Sequence, residues 1–339
     1  MKVAIANCCD TGPLESLHLM LSAVGYEVRP LSLRLSNYLR TIGCRSVNTT
    51  EWARRYEGVE PPTPLRVAEI ADLETCDLFV DVKPQFNGEI LWKRHPRLHG
   101  RTLYYRINGG EPEIGETLPC PVLTPNLWYR TPKYAVDRWT YTCWPPFMRF
   151  DDYYPKGGRK SGNYAAPICL VHNLAGWGYG AWAEGTRALG LRIHGRRSPD
   201  GLIDHVTIPR LLTAALAMVH LKSSDAPGYA LYEGLAAACP MVVSERLVAR
   251  NLMHELYEDG VTCFYFDRLS APELSSSLTT PADVTGAVTE IADHLEKLRD
   301  PARNLEIGLA GRHRLAKLMW RPDRDGPGLK EWMEDVFPC

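Results

Sequence analysis

Long apolar runs are missing from this 339-residue chain. No stretch of the roughly 20 apolar residues that a membrane-spanning helix needs occurs. The apolar start, Lys2 to Asn7, is too short for a secretory leader and reads as a first strand. Net charge is missing too: 39 Lys and Arg stand against 40 Asp and Glu, so a polyanionic partner is neither demanded nor excluded. The split is slightly uneven, with 21 basic and 18 acidic residues in 1–160. Cysteine is present at 10 residues, yet the spacings of disulfide frameworks and zinc sites are absent. Cys8 and Cys9 are adjacent, and Cys169, Cys239 and Cys263 fall in apolar segments. Buried free thiols in a reducing compartment follow, hence an expected cytoplasmic location. Internal repeats and low-complexity tracts are absent as well, which excludes solenoids and compositionally disordered tails.

What is present is a globular composition, 45% hydrophobic with a mean hydropathy of -0.24. The length exceeds the ~100–200 residues usual for one domain, so two are expected. Short β-rich runs alternate with helical patterns. Strands are expected at 2–7, 27–31, 77–82, 102–107 and 121–124, with a helix over 14–24 stopped by Gly25. Residues 44–64 are poor in apolar positions and end in Pro61-Pro62-Thr63-Pro64, a loop excursion. The Gly- and Lys-rich stretch 153–166 reads as a linker. A second alternating unit follows: strand 168–172, helix 179–189, strand 191–194, helix 208–217, strand 217–221, then helices at 282–298 and 301–319. Such alternation specifies parallel, doubly wound α/β sheets.

The densest signal is His220 to Glu245. Pro227-Gly228 marks a turn, Tyr229 to Ala238 carries helix formers, Cys239-Pro240 stops the helix, and Met241-Val242-Val243 reads as a buried parallel strand. Asp225 stands before the turn and Glu233 two helical turns inside, eight residues apart. A helix N-terminus binds anions, and a carboxylate accepts hydrogen bonds from neighbouring hydroxyls. Asp259-Gly260-Val261 follows downstream as a turn before an apolar strand ending at Phe266.

This pattern over residues 165–320 resembles the acidic-x7-acidic signature of GT-B glycosyltransferases, in particular the large retaining nucleotide-sugar family (family 4-like). The resemblance implies two Rossmann-like doubly wound domains facing across a cleft. Residues 1–160 would form the acceptor domain, completed by a C-terminal helix within 326–339, and 165–320 the donor domain. It implies a metal-independent transfer of sugar from a nucleotide diphosphate, a UDP-sugar as first choice, with no permanently bound cofactor. No D-x-D motif stands in a context suggesting a metal-dependent transferase. Asp225 would hold sugar hydroxyls, Gly228 and Tyr229 would offer N–H groups to the diphosphate, and Glu233 would hold the ribose. The sequence departs from the family in two ways: its first acidic residue is Asp where Glu is usual, and Asn173 and Trp177 stand where an Arg and a Lys neutralise the diphosphate. Lys222, Arg196, Arg197, Arg246 and Arg250 are candidates to supply that charge, Lys222 foremost because it sits at a strand's carboxyl end.

Other constellations concern the rest of a site. Gly176, Gly178 and Ala181 fit the dinucleotide fingerprint G-x-G-x-x-G/A after a strand, with Asp200 about 20 residues on. They lie in the donor half, and they also support a second reading, a nicotinamide- or flavin-dependent oxidoreductase. A catalytically silent sugar- or nucleic-acid-binding relative is a third. In the first half, Asp10 and Gly12 follow the first strand, Asp10 as a candidate general base and Gly12 as a point of backbone approach to the donor. Arg106, Asn108 and Glu111 flank the pair Gly109-Gly110 at another strand end, Glu111 as a catalytic candidate and the other two as acceptor contacts. Trp128 and Arg130 open an aromatic and basic cluster that runs to Phe150 and suits sugar or base stacking, or core packing. Under the glycosyltransferase resemblance the expected acceptor is a hydroxyl of a glycan, a small molecule or a hydroxymethylated pyrimidine in phage-type DNA; the last would need its base flipped out.

Overall fold

The structure, a computed structural model, describes residues 1–6, 11–30, 33–44, 70–82, 88–106, 119–125, 127, 139–146, 150–155, 158, 163–173, 179–196, 198–203, 207–222, 228–267, 281 and 283–338. Contacts divide the chain into two compact units, Met1–Met148 with Met319–Cys339, and Arg149–Leu318. The break after Met148 precedes the Gly- and Lys-rich stretch, because Tyr153 is buried within the second unit.

The first unit is built on a six-stranded parallel sheet: β1 (Lys2–Ala6), β2 (Glu27–Pro30), β3 (Leu78–Val82), β4 (Thr102–Tyr105), β5 (Val122–Thr124) and β6 (Thr140–Thr142). Their spatial order is β2-β1-β3-β4-β5-β6. The chain therefore reverses direction between β1 and β3, whose register pairs Val3 with Leu78 and Ile5 with Val80. β3 and β4 are buried along their whole length, as strands covered on both faces must be. Alternate residues serve opposite layers. Val3, Ile5, Leu78, Val80 and Val82 meet Leu17, Met20 and Leu21 of α1 (Thr11–Ala23), together with Leu329 and Met333 of the C-terminal helix. Ala4 and Phe79 meet Leu39 of α2 (Leu33–Thr41), Leu73 of α3 (Asp72–Thr75) and Leu91 of α4 (Gly88–Arg94). Helix α1 ends where Gly25 takes φ +91, with its N–H on the Ser22 carbonyl and the Tyr26 N–H on the Leu21 carbonyl.

The second unit holds a five-stranded parallel sheet: β7 (Ile168–Asn173), β8 (Arg192–Arg196), β9 (Met218–His220), β10 (Met241–Ser244) and β11 (Cys263–Phe266), in the order β11-β10-β9-β7-β8. One face packs Val171, Val219, Val242 and Phe264 under Trp182 of α5 (Tyr179–Ala188), Ile291 and Leu295 of α9 (Val284–Lys297), and Ile307 of α10 (Pro301–Leu318). The same segment also holds α6 (Ile208–Ala214), α7 (Tyr229–Ala236) and α8 (Glu245–Arg250). Helix α7 lies on Met218 and Met241. Gly234 makes this possible, since a Cβ there would strike the sulfurs of both. The last helix, α11 (Pro322–Val336), belongs to the first unit and covers Tyr141 of β6 with Trp332, ring centroids 5.4 Å apart.

Two parallel sheets with helices make the chain α/β throughout. Among the described residues, no helix is long and apolar enough to cross a membrane.

Candidate functional site

Open parallel sheets bind ligands outside the carboxyl ends of their strands, where the strand order reverses. In the second unit that point lies between β7 and β9. Beyond β9 come buried Leu221 and half-exposed Lys222. The chain resumes at Gly228, in extended conformation (φ -77, ψ 150), as the N-cap of α7. Gly228 has no side chain to cap the helix, so it leaves the first N–H groups of α7, the positive end of its dipole, without a side-chain acceptor of its own. Neither the backbone dihedrals nor any neighbour within 4 Å among the described residues requires glycine at this position. Tyr229 is half-buried, with its ring edge-on to Tyr232 at 6.0 Å.

Glu233 sits one turn further along α7 and is 7% exposed. Its Oε1 accepts a 3.0 Å hydrogen bond from the hydroxyl of Tyr153, which is itself buried. Tyr153 closes the 3-10 turn Asp151–Tyr153 at the start of this unit. Nothing in the sequence signals that pairing, since 80 residues separate the partners.

A second buried polar group joins the carboxyl ends of β10 and β11. Ser244 caps α8 by accepting from the Leu247 N–H and donates its own proton to Asp267 at 3.1 Å. Arg246 is 1% exposed and pairs with the same carboxylate at 3.4 Å. Asp267 adopts φ +57, and its N–H donates to Glu290 at 2.9 Å. Arg246, a sequence candidate for diphosphate compensation, thus turns Nη2 to Asp267, while its buried Nε and Nη1 meet no hydrogen-bond acceptor among the described residues. A guanidinium removed from water needs its carboxylate in place.

The remaining sequence candidates divide clearly. Lys222 follows β9, Gly228 is the N-cap of α7, and Tyr229 and Glu233 are the first and fifth residues of that helix. Arg196 ends β8, where its backbone pairs with Asn173 at the end of β7. Arg106 follows β4 and is buried; its N–H donates to the Leu123 carbonyl and its carbonyl accepts from Thr124. Gly12 lies within the first turn of α1 instead of in a loop, because Pro13 is well suited to the first turn of a helix. Asp10, Asn108, Glu111, Trp128, Arg130, Gly176, Gly178 and Asp225 lie outside the described residues. Of the aromatic cluster, Tyr141 and Trp144 are spent on packing in the first unit.

Two further motifs resolve as structure. Asp259 accepts from the Tyr265 N–H at 2.9 Å, and Gly260 takes φ +72 with its carbonyl held by Arg303. The Asp-Gly-Val stretch is therefore the turn that launches β11. Asp200 resists ionisation through burial, but the Ile193 N–H and Arg192 more than offset this and hold its carboxyl below the usual range. Its oxygens are engaged in its own turn beside β8. Among the described residues, no three His, Cys, Asp or Glu side chains gather as a metal site requires.

The whole-chain architecture matches solved glycosyltransferases. Sucrose-phosphate synthase from Thermosynechococcus elongatus aligns with a TM-score of 0.61 at 14% identity, over 99% of each chain. HepE of Anabaena, solved with UDP and glucose, aligns with a TM-score of 0.59 at 12% identity, over 99% of this chain and 100% of that one. A DNA-modifying β-glucosyltransferase, whose substrate is uridine diphosphoglucose, aligns with a TM-score of 0.54 at 12% identity over 100% of both. The fold is GT-B. No protein-family model matches the sequence, and no curated protein matches it significantly. At these identities the likeness speaks for architecture. Within the GT-B frame, α7 starts beyond the carboxyl end of β9 and runs back over the five-stranded sheet of the second unit, with Glu233 in its middle.

Proposed function

We propose that this chain is a glycosyltransferase that moves a sugar from a nucleotide-diphosphate donor, a UDP-sugar as first choice, to a hydroxyl acceptor. The observation that carries the reading is Glu233, a buried carboxylate that accepts from Tyr153 within an α7 whose N-cap is Gly228. Burying a carboxylate is costly unless it has work or partners. The solved GT-B neighbours include complexes with UDP and with UDP-glucose, which supports the same donor class here.

In this mechanism the nucleotide leaves as a diphosphate, and the developing negative charge must be met by preorganised dipoles and cations. The N–H groups at the start of α7 supply the dipole, and the absence of a Cβ at Gly228 lets phosphate oxygens approach them. Lys222 supplies a positive charge in place of the basic pair found in the family that the motif resembles. Glu233 accepts from the ribose hydroxyls and Asp225 from hydroxyls of the sugar. The acidic pair of the retaining pattern supports transfer with retention at the anomeric carbon, which NMR of the product reads directly. The acceptor class is open between a glycan, a small molecule and DNA; among the neighbours stands a DNA-modifying enzyme.

The test is slow release of UDP from a UDP-sugar by the purified chain without acceptor. Release that disappears in Glu233→Ala supports the reading. Release that persists unchanged in that variant refutes it.

A further inference from the structure

We infer that Tyr153 is the positioning residue of the nucleotide site, holding the Glu233 carboxylate in the orientation that receives the ribose hydroxyls. This rests on the donor-site reading of α7 given above.

Three observations carry the inference. The Tyr153 hydroxyl donates to Oε1 of Glu233 at 3.0 Å, with both side chains buried. A glutamate has three rotatable side-chain bonds, and ordering it costs conformational entropy. A donor fixed on one carboxylate oxygen removes that freedom before the ligand arrives, which is how a supporting group preorganises a site.

Next, the turn that carries Tyr153 is itself fastened to the helix that carries Glu233. Arg312 of α10 donates from Nη1 to the Phe150 carbonyl at 3.0 Å and to the Ala236 carbonyl, the last residue of α7. Its Nη2 reaches Asp151 at 3.3 Å, and its guanidinium lies over the rings of Phe150 and Tyr154, 3.8 and 4.9 Å from their centroids. One side chain thus locks residues 150–154 to the C-terminal end of α7, and Tyr153 reaches the middle of the same helix. A planar guanidinium suits this double duty of forked donation and ring stacking.

Finally, the phenol is an economical donor for this purpose. It donates one directed hydrogen bond without adding a positive charge of its own.

The experiment titrates the full chain with UDP and with 2′,3′-dideoxyuridine diphosphate, for wild type, Tyr153→Phe and Glu233→Ala. Wild type is expected to prefer UDP. Glu233→Ala is expected to abolish that preference. Tyr153→Phe is expected to weaken UDP binding about tenfold while leaving the dideoxy ligand unchanged, the effect of a lost charge-assisted hydrogen bond. Equal weakening of both ligands in Tyr153→Phe marks a merely structural role and overturns the inference. An unchanged preference in Glu233→Ala, or no UDP binding by wild type, removes the donor-site reading and the inference with it. If Tyr153→Phe does not fold, Arg312→Met is the second variant. It keeps both partners, loosens the turn and is expected to reduce the UDP preference in part; an undiminished preference overturns the inference.

Discussion

Gly234 lies against the sulfur of Met241 so closely that no Cβ fits between them. That approach, together with the one to Met218, seats α7 on the first residues of β9 and β10 and fixes how closely Glu233, the neighbour of Gly234 in the helix, rides on the sheet. Gly308 of α10 does the same at the far end of α7, where a Cβ would collide with the Ala238 carbonyl.

The consequence for stability is direct. Gly234→Ala forces a methyl group into a packed core and is expected to cost about 1–3 kcal/mol, despite the better helix propensity of alanine. Chemical denaturation with an unchanged m-value measures it. A variant as stable as wild type would contradict the close seating of α7.

Gly228 is the contrasting case. Its conformation is open to any residue, and among the described residues nothing lies within 4 Å of where a Cβ would stand. Gly228→Ala is therefore expected to fold with a melting temperature close to wild type. Its affinity for a UDP-sugar should fall about tenfold or more, because the added methyl meets the phosphate and not the protein. Loss of stability with unchanged affinity would reverse this assignment.

Alkaline pH should unfold the protein early. All seven described cysteines are buried free thiols: Cys44, Cys76, Cys120, Cys143, Cys169, Cys239 and Cys263. Burial pushes Cys44 and Cys76 up to about 11, with Asp81 adding to the effect at Cys44. It pushes Cys120 and Cys169 up to about 12, with Lys222 opposing it weakly at Cys169. In the unfolded chain these thiols ionise near 9.0. Between that value and 11 the folded state holds more protons than the unfolded state, so stability present below pH 9 is lost as pH rises. The slope approaches about 1.4 kcal/mol per pH unit for each thiol. Melting temperatures recorded from pH 8 to pH 10.5 are expected to fall steadily, and a flat profile would refute the burial of these groups.

Much of the frame was readable in the residues themselves, because the parallel strands are continuous apolar runs and their helices carry regular faces. The run from His220 to Glu245 is the clearest example: the helix that begins after Gly228 and the strand after it both form. Three elements were not readable. Helix α2 begins in Leu33-Arg34-Leu35, where apolar residues alternate as in a strand. Strand β6 is three residues of Thr-Tyr-Thr, too short to show a period, and it earns its place by pairing with β5 and packing on Trp332. The final helix starts at Pro322, well before the expected position, although Gly326, Pro327 and Gly328 look like a break. Its signal was at the front: Pro322 opens the helix, and the Asp325 carboxylate accepts from the Arg321 N–H at 2.7 Å. The candidate site was half readable. Spacing singled out Gly228 and Glu233 as candidates, but it held no trace of the contacts from Tyr153 to Glu233 and from Arg312 to Ala236, whose partners lie 80 and 76 positions apart. Arg246 looked like an available cation because its buried partner, Asp267, lies in another turn.

The most direct measurement is calorimetric titration of the purified chain with UDP-glucose and UDP, for wild type and Glu233→Ala. The account predicts saturable binding to wild type and at least about a tenfold loss in the variant. Binding that is equally tight in both proteins, or absent from wild type across the common nucleotide diphosphate sugars, would contradict a nucleotide-sugar site at α7.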